Sequence, residues 1–383
     1  MLNRIIRWSI SNRWIVNILA VIWFLLGVYT TFNMPVDVFP DFAPIQVVVL
    51  TEAQGFAPEE VESLVTRPLE SGLNGTANIK VVRSISTIGL SVITAIFQDS
   101  TNIFTARQLV SEKLQAARSK LPAGVKEPVL APITSAAGDI LKIGLYGTGK
   151  TTPMDVRTLA DWTVRMRLMA IGGVSNVVVI GGEVRQYQVL VDPDKLRQYD
   201  VTLEQVLQAA GGSNVNAAGG TLRTREREQL IRGLGRVSSP DEIGQAVITS
   251  RNGMPVLLRN VADVKIGPEF KIGDAIVDGH PGVVLTVFKQ PWANTLETTI
   301  NLEKSLEELK AALPPDIKVV TTFRQADFIE VAVKNVGEAV ILGGILVVVI
   351  LFVFLQNWRT ALISLVAIPL SLLSAIIFLK YQG

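Results

Sequence analysis

The sequence predicts an α+β protein with transmembrane α-helices, and two observations carry that prediction. First, 49% of its 383 residues are hydrophobic, only 18% are charged, and the mean hydropathy is +0.38, which is too apolar for an ordinary soluble protein. Second, the apolar residues concentrate in three blocks, whereas the stretch between the first two blocks has the balance of a water-soluble domain. We therefore expect three membrane helices and one large globular region.

The three apolar blocks have the length of membrane spans. Residues 14–34, 339–355 and 361–379 contain no charged residue, and a bilayer-crossing helix requires about 20 apolar residues. A cleaved signal peptide is the alternative for the first block, but its apolar region would be only ~7 to 15 residues long. The segments that we predict are an interfacial helix at 1–12 and transmembrane helices at 13–34, 335–357 and 360–380.

Arginines on one side of the spans predict their orientation. Arg4, Arg7 and Arg13 precede the first block and Arg359 lies in the short link between the second and third, so all four fall on the same side of the membrane. By the positive-inside rule that side is the cytoplasm. The N-terminus is then cytoplasmic, and residues 35–330 lie outside, in the periplasm if the cell has one.

The outer region reads as a duplicated split βαβ (ferredoxin-like) fold with an insertion. A strand, helix, two strands, helix and strand follow one another from Ile45, and a second such unit starts with ILKIGLYG. The helix exits at Leu121–Lys126 and Leu313–Lys318 resemble each other, which favours an internal repeat. The subdomains that we predict are 35–138 for the first copy, 139–184 with 269–330 for the second, and 185–268 for the insertion.

The insertion combines the predicted strands YQVLVD and MPVLLRNVADVKI with the predicted helix VTLEQVLQAA. It also contains a long Gly- and Asn-rich arm at 211–232. Loops of that length in a compact domain are usually functional or disordered. A protruding partner-binding arm and a mobile surface loop both fit this pattern.

Composition excludes several kinds of site. With 36 basic and 34 acidic residues the net charge is +2, so the chain lacks the basic patch that nucleic-acid binding needs, and it has no cysteine for disulfides or thiolate metal sites. His280 is the single histidine. Met166 and Met169 share a helix face, and we expect them to pack in the core. No catalytic residue, cofactor site or metal site is predicted.

Several long motifs resemble one family of exporters. MPVDVFPD at 34–41, TEAQGFAPEEVESLVTRPLESGLNG at 51–75, VRSISTIGLS at 82–91 and FLQNWRTALI at 354–363 occur in the order found in resistance-nodulation-division (RND) efflux transporters. The DVFPD turn and the TEAQGFAPEEVE segment are similar to those of the heavy-metal efflux branch. The chain thus resembles the N-terminal part of such a pump, ending in the third transmembrane span.

That resemblance implies a proton-driven antiporter of the inner membrane that exports metal cations. It also implies a homotrimer that joins a periplasmic adaptor and an outer-membrane channel, with the repeats as porter subdomains and the insertion as a docking subdomain. Exporters of drugs or other amphiphiles share this architecture and are the alternative. The acidic residue that the family carries on its fourth span is not in this sequence, so we expect no transport from this chain alone.

The resemblance also assigns two candidate contact surfaces. The arm is similar to the family's hairpin that reaches into the neighbouring protomer, and a helix of the first copy resembles the family's central-axis helix. A solvated helix face is the alternative for the second surface. The arm residues are Asn214, Asn216, Arg223, Arg225 and Arg227. The central-axis residues are Gln108, Glu112 and Gln115.

A match to the phosphate-binding P-loop pattern offers a different class of function. Gly144–Thr151 reads GLYGTGKT and follows a predicted strand, so a nucleotide-binding protein is the competing interpretation. The charge rule argues against it, because it puts this loop outside the cytoplasm. The following helix is also predicted to start late, near Pro153 to Asp155, whereas a P-loop lysine sits at the helix entrance.

Overall fold

The computed structural model describes residues 2–32, 34, 44–134, 137–215, 217–223, 227–233, 235–251, 253–271, 273–356 and 358–382. The predicted DVFPD turn at 37–41 lies outside these residues. The chain starts with α1 (Leu2–Ser11) and α2 (Arg13–Phe32).

The first α/β unit follows α2 and is a four-stranded antiparallel sheet under helices. Its elements are β1 (Gln46–Glu52), α3 (Pro58–Val61), α4 (Arg67–Leu73), β2 (Ile79–Thr87), β3 (Leu90–Phe97), α5 (Ile103–Ala117) and β4 (Val129–Leu130). The strand order is β2-β3-β1-β4. A π-helical turn joins α3 to α4. Buried side chains of β1, β3 and the helices form its core, which is separate from the two described below.

Local sequence explains where these helices start. Pro58 occupies the first turn of α3, where its missing N–H costs nothing. The side chain of Asn102 caps α5 by accepting a hydrogen bond from the Phe104 amide at 2.8 Å. The last strand predicted for the first copy, which is the segment VKEPVLAPI, has only two residues in the structure, because Pro128 and Pro132 on either side have no N–H for a sheet ladder.

The second α/β unit begins with β5 (Asp139–Gly147), α6 (Pro153–Leu159), α7 (Arg165–Met169) and β6 (Val174–Gly181). A π-helical turn joins α6 to α7, as in the first unit. The chain then leaves for an inserted unit and returns to the same sheet.

The inserted unit contains two two-stranded sheets on a core of their own, and a protruding hairpin. Its elements are β7 (Arg185–Val191), α8 (Pro193–Tyr199), α9 (Leu203–Gly212), β8 (Ala217–Arg223), β9 (Glu228–Gly233), α10 (Pro240–Gly244), β10 (Val247–Arg251), β11 (Met254–Leu257), α11 (Leu258–Val261) and β12 (Ala262–Pro268).

One strand prediction in this unit is wrong. The segment MPVLLRNVADVKI is not one strand, because the helical turn α11 divides it into β11 and β12. The side chain of Asn260 accepts a hydrogen bond from the Leu257 amide at 2.8 Å and so starts the turn. Leu258 and Val261, three residues apart, both reach the core because the turn is helical. The predicted helix VTLEQVLQAA is α9.

The return completes the second unit and continues into two long apolar helices. The remaining elements are β13 (Ala275–Val277), β14 (His280–Lys289), α12 (Thr295–Lys310), β15 (Ile317–Arg324), α13 (Ala326–Leu355) and α14 (Trp358–Gln382). The main strands lie in the order β6-β14-β5-β15, all antiparallel, and β13 pairs with the start of β14.

Two described helices are long and apolar enough to cross a membrane, Arg13–Thr31 and Ala326–Phe354, and Leu365–Tyr381 is a shorter apolar helix. Helix α14 packs against α2, where the Trp23 indole donates a hydrogen bond to the Ser374 hydroxyl at 2.8 Å. A Cβ placed on Gly27 would lie 2.6 Å from the Cβ of Leu373, so only glycine fits this crossing.

Candidate functional site

The junction between the second α/β unit and α13 is built around one arginine. Arg324 ends β15, and its guanidinium binds both carboxylate oxygens of Glu303 on α12, at 2.7 and 3.4 Å. It also binds Asp327 and Glu330 in the first two turns of α13, at 2.5 and 2.9 Å. The planar guanidinium can hold several carboxylates because it presents five donors. One side chain therefore links a strand and two helices.

The backbone beside Arg324 makes the same connection. The Gln325 amide donates to the Ile140 carbonyl of β5 at 2.9 Å, and its side-chain amide donates to the Ala137 carbonyl at 3.2 Å. Ala326 and Ile329, one helical turn apart, are fully buried against the unit. Helix α13 thus starts as part of the second unit's packing.

Electrostatics strengthens the junction. The Arg324 side chain is only 18% exposed, so its ion pairs are less screened than those at the open surface. Hydrogen bonds to Glu330, and then to Glu303 and Asp327, raise the pKa of Arg324 further above its already high value. Helix α13 carries charge again at Lys334 and Glu338, and residues 339–355 are uncharged. At 1.5 Å per residue, the junction lies roughly 20 Å beyond this apolar stretch.

The GLYGTGKT loop does not have the geometry of a P-loop. Asp316 occupies its donors: the Thr151 amide and hydroxyl donate to the carboxylate at 2.9 and 2.8 Å, and the Thr148 amide donates to the Asp316 carbonyl at 2.8 Å. These hydrogen bonds from Thr151 lower the pKa of Asp316. The protein's own anion therefore lies where a phosphate would bind.

The helix after this loop starts where the sequence predicts. Thr152 caps α6, with its hydroxyl accepting from the Asp155 amide at 3.2 Å, and Lys150 precedes the cap. Gly149 approaches Asp316 so closely that a Cβ would lie 2.8 Å from a carboxylate oxygen. The glycines and threonines of the motif thus close a loop against residues 314–316, next to a cavity of about 590 Å³.

The three predicted central-axis residues lie together. Gln108, Glu112 and Gln115 are all exposed on α5, opposite the buried residues Val110 and Leu114. The face is therefore free in the described chain, and its position at a trimer axis stays a prediction.

The predicted arm is the β8–β9 hairpin, and the structure describes its contact residues only in part. Asn214 is exposed and accepts a hydrogen bond from the Val237 amide at 3.2 Å, which joins the two ends of the hairpin. Arg227 is exposed just before β9. Arg223 ends β8, and Asn216 and Arg225 lie outside the described residues. The contact with a neighbouring protomer stays a prediction.

The expectation that Met166 and Met169 pack in the core is wrong. Their exposed fractions are 59% and 41%, and Trp162 on the same helical segment is 76% exposed. The opposite face, with Val164 and Leu168, packs on the sheet instead. Among the described residues, no group of three or more His, Cys, Asp or Glu side chains could hold a metal ion.

Sequence reasoning missed the Arg324 junction. Its signal was an arginine at a strand end with carboxylates three and six positions later, just before a span. A second missed contact joins the two α/β units, where the rings of Phe104 and Trp292 lie with centroids 5.8 Å apart. No local pattern pairs these two aromatic residues.

Known proteins resemble the chain over its whole length. Protein HelA of Legionella pneumophila is 35% identical over 382 residues, covering 98% of this chain and 36% of HelA. The cobalt-zinc-cadmium resistance protein CzcA of Cupriavidus metallidurans is 35% identical over 382 residues, covering 97% and 36%. The cation efflux system protein CusA of Escherichia coli is 36% identical over 386 residues, covering 100% and 37%.

The fold agrees with a solved structure. An X-ray crystal structure of a heavy metal efflux pump superposes with a TM-score of 0.90 at 30% identity, covering 99% of this chain and 38% of that one. The chain thus spans little more than a third of the length of the relatives that it matches. Residues 5–383 match the AcrB/AcrD/AcrF family. The predicted likeness to heavy-metal RND exporters is confirmed, and the chain belongs to the AcrB/AcrD/AcrF family.

Proposed function

We propose that this chain is the N-terminal part of a proton-driven RND pump that exports metal cations. The observation that carries the proposal is its uniform likeness, from end to end, to proteins named for cation efflux and for cobalt, zinc and cadmium resistance. The matching crystal structure is also that of a heavy metal efflux pump. Export of drugs or other amphiphiles is the second candidate, because the family match alone fits it too.

The proton pathway is proposed to lie in the remainder of the pump. The apolar stretches 14–32, 339–355 and 361–379 contain no charged side chain, and proton relays in membranes use ionisable residues. In this proposal the chain anchors and orients the outer units, and antiport needs a further intramembrane carboxylate. The Arg324 junction then connects α13 to the second unit.

The proposed topology places α1 at the cytoplasmic face and α2, α13 and α14 across the inner membrane. Arg4, Arg7, Arg13 and Arg359 support this orientation through the positive-inside rule. The two outer units are proposed to be duplicated porter subdomains, at 35–138 and at 139–184 with 269–330, and 185–268 to be the docking subdomain. Equivalent strand orders and a π-helical turn in the first helix of each unit support the duplication.

The proposed partners are two further copies of the pump, a periplasmic adaptor and an outer-membrane channel. The hairpin with Asn214 and Arg227 would contact the neighbouring protomer, and the face with Gln108, Glu112 and Gln115 would line the central axis. The exposure of these described residues supports both roles. We propose a transporter and not an enzyme, because the relatives are named for cation efflux and metal resistance.

A chimera tests the proposal. The aligned segment of CzcA from Cupriavidus metallidurans is replaced by this chain, and the pump is expressed in a metal-sensitive host. We expect tolerance to cobalt, zinc or cadmium to return, with the amount of chimera in the membrane measured in parallel. A chimera that is present in the membrane and protects against dyes or detergents but not metals would favour the amphiphile alternative.

The nucleotide alternative has its own test. Because Asp316 occupies the loop donors, the purified chain should not bind ATP, and Lys150→Ala should leave metal tolerance of the chimera unchanged. ATP binding that disappears in Lys150→Ala would restore the P-loop interpretation.

A further inference from the structure

Helix α1 has one basic face and one apolar face. Arg4, Arg7 and Ser11 recur at intervals of three and four residues, so they share one side of the helix. Ile6 and Ile10 lie one turn apart on another side and are 48% and 72% exposed. The exposed apolar side chains show that the described chain does not cover this face.

The helix is a separate element at the entrance of the first span. The Trp8 carbonyl accepts hydrogen bonds from the Asn12 amide at 2.9 Å, the Asn12 side chain at 3.1 Å and the Ser11 hydroxyl at 3.1 Å, and this cluster ends α1. Helix α2 begins at the next residue, Arg13. Helix α1 is therefore tethered where the first apolar span begins.

The arginines proposed to lie on the cytoplasmic side of the membrane have no carboxylate nearby in the sequence. Residues 1–36 contain no Asp or Glu, and neither do residues 339–383, which include the link on the same side. In that link the Arg359 guanidinium lies over the Trp358 ring, 5.8 Å from its centroid. Trp8 is 53% and Trp14 72% exposed, and tryptophan is enriched at membrane interfaces. The side is cationic and aromatic, which complements a layer of anionic headgroups.

We propose that α1 binds the surface of a membrane that contains anionic glycerophospholipids. Arg4, Arg7 and Arg13 bind the phosphate groups, and Ile6 and Ile10 enter the boundary between headgroups and acyl chains. Trp8, one turn after Arg4, lies at the level of the headgroups. An amphipathic helix that is basic on one face gains from both contacts at once. The choice of the cytoplasmic leaflet rests on the membrane orientation proposed above, but the inference does not depend on which substrate is transported.

The test uses the full chain in vesicles of phosphatidylcholine to which phosphatidylglycerol is added in steps. The Trp8 signal is the emission difference between the wild type and Trp8→Phe. We expect a blue shift that grows with phosphatidylglycerol, and quenching by lipids whose acyl chains are brominated close to the headgroup, because Trp8 lies at that level. At about 1 kcal/mol per basic residue, removing each arginine should weaken the apparent affinity for phosphatidylglycerol on the order of fivefold. The apparent affinity of Arg4→Gln/Arg7→Gln for phosphatidylglycerol should therefore fall by more than about tenfold.

Lys334→Gln/Lys380→Gln is the matched control. It removes the same charge from residues on the other side of the spans, so the Trp8 signal should not change. Raising the salt from about 0.1 to 1 M shortens the Debye length from about 10 to 3 Å. It should therefore lower the apparent affinity of the wild type for phosphatidylglycerol, as removal of the arginines does. Unchanged phosphatidylglycerol dependence in Arg4→Gln/Arg7→Gln would overturn the proposal. So would a Trp8 that brominated lipids do not quench, whether because it lies in water or because it is covered by protein.

Discussion

The three long apolar helices of this protein, α2, α13 and α14, are held in two different ways. Helices α2 and α14 hold each other inside the apolar region, through the close approach of Gly27 to Leu373 and the hydrogen bond from Trp23 to Ser374. Helix α13 has no buried residue in its apolar window within the described chain, and its firm contacts lie at its outer end, around Arg324. Helix α13 therefore belongs mechanically to the second α/β unit, whereas α2 and α14 form a pair of their own.

The largest expected effect comes from filling the space at Gly27. Gly27→Leu should lower the free energy of unfolding by about 3 kcal/mol, the upper end of the usual cost of overpacking, because the new side chain meets the Cβ of Leu373. Thermal unfolding of the chain in detergent measures the loss. Gly343→Leu in α13 is the control, since nothing lies within 4 Å of that position. Equal losses in the two variants would remove the distinction between the helices.

Breaking the Arg324 junction should come next. Arg324→Ala leaves three carboxylates without their partner, and we expect a loss of about 2 kcal/mol, less than for a fully buried ion pair because the side chain is 18% exposed. Arg251→Ala, which removes the exposed pair with Asp200, should cost at most ~0.5 kcal/mol.

The same variant should loosen α13 from α12. Since the chain has no cysteine, Lys304→Cys and Lys334→Cys place spin labels on the two helices without background. The distance distribution between the labels should broaden in Arg324→Ala and narrow again in Arg324→Lys. An unchanged distribution would mean that burial of Ala326 and Ile329 alone holds the helix.

A smaller effect is expected from the hydrogen bond between α2 and α14. Trp23→Phe removes the donor to Ser374 and keeps an aromatic ring, so the cost should be about 0.6 kcal/mol, as for other hydrogen bonds between membrane helices. Trp14→Phe, at an indole that is 72% exposed, is the control. If both variants unfold alike, close packing at Gly27 joins the pair without help from Trp23.

The smallest effect is expected along the outer part of α13. Lys334 and Glu338 lie 3.9 Å apart with side chains 75% and 67% exposed, so Lys334→Gln should change the free energy of unfolding by less than ~0.5 kcal/mol. The same thermal unfolding measures it. A loss as large as that of Arg324→Ala would place the junction further along α13 than its buried residues indicate.

Much of the fold could be predicted because it depends on local patterns. Strand and helix order followed from hydrophobic periodicity, and the start of α6 near Pro153 followed from helix-capping chemistry. The prediction of one strand at the position of α11 was wrong because it also relied on a local pattern. A run such as VLLRNVADV fits a strand and a buried turn equally well.

The candidate sites were harder to predict, because their residues meet through distant parts of the chain. Met166 and Met169 share a helix face, but the same helix has a second apolar face with Val164 and Leu168. Only the position of the sheet decides which face is buried. The spacing therefore predicted correctly that the two methionines share a face, but it predicted wrongly that this face is buried.

The sequence by itself determined the long apolar helices, the alternation of strands and helices, and the family. Composition and periodicity act over neighbouring residues and survive without tertiary contacts. Only the tertiary structure decided that Asp316, 165 positions from Thr151, fills the GLYGTGKT loop, and that Ser374 meets Trp23 across 351 positions. It likewise brought Glu303, Asp327 and Glu330 around Arg324. Such contacts depend on how whole elements pack, which no local window of sequence contains.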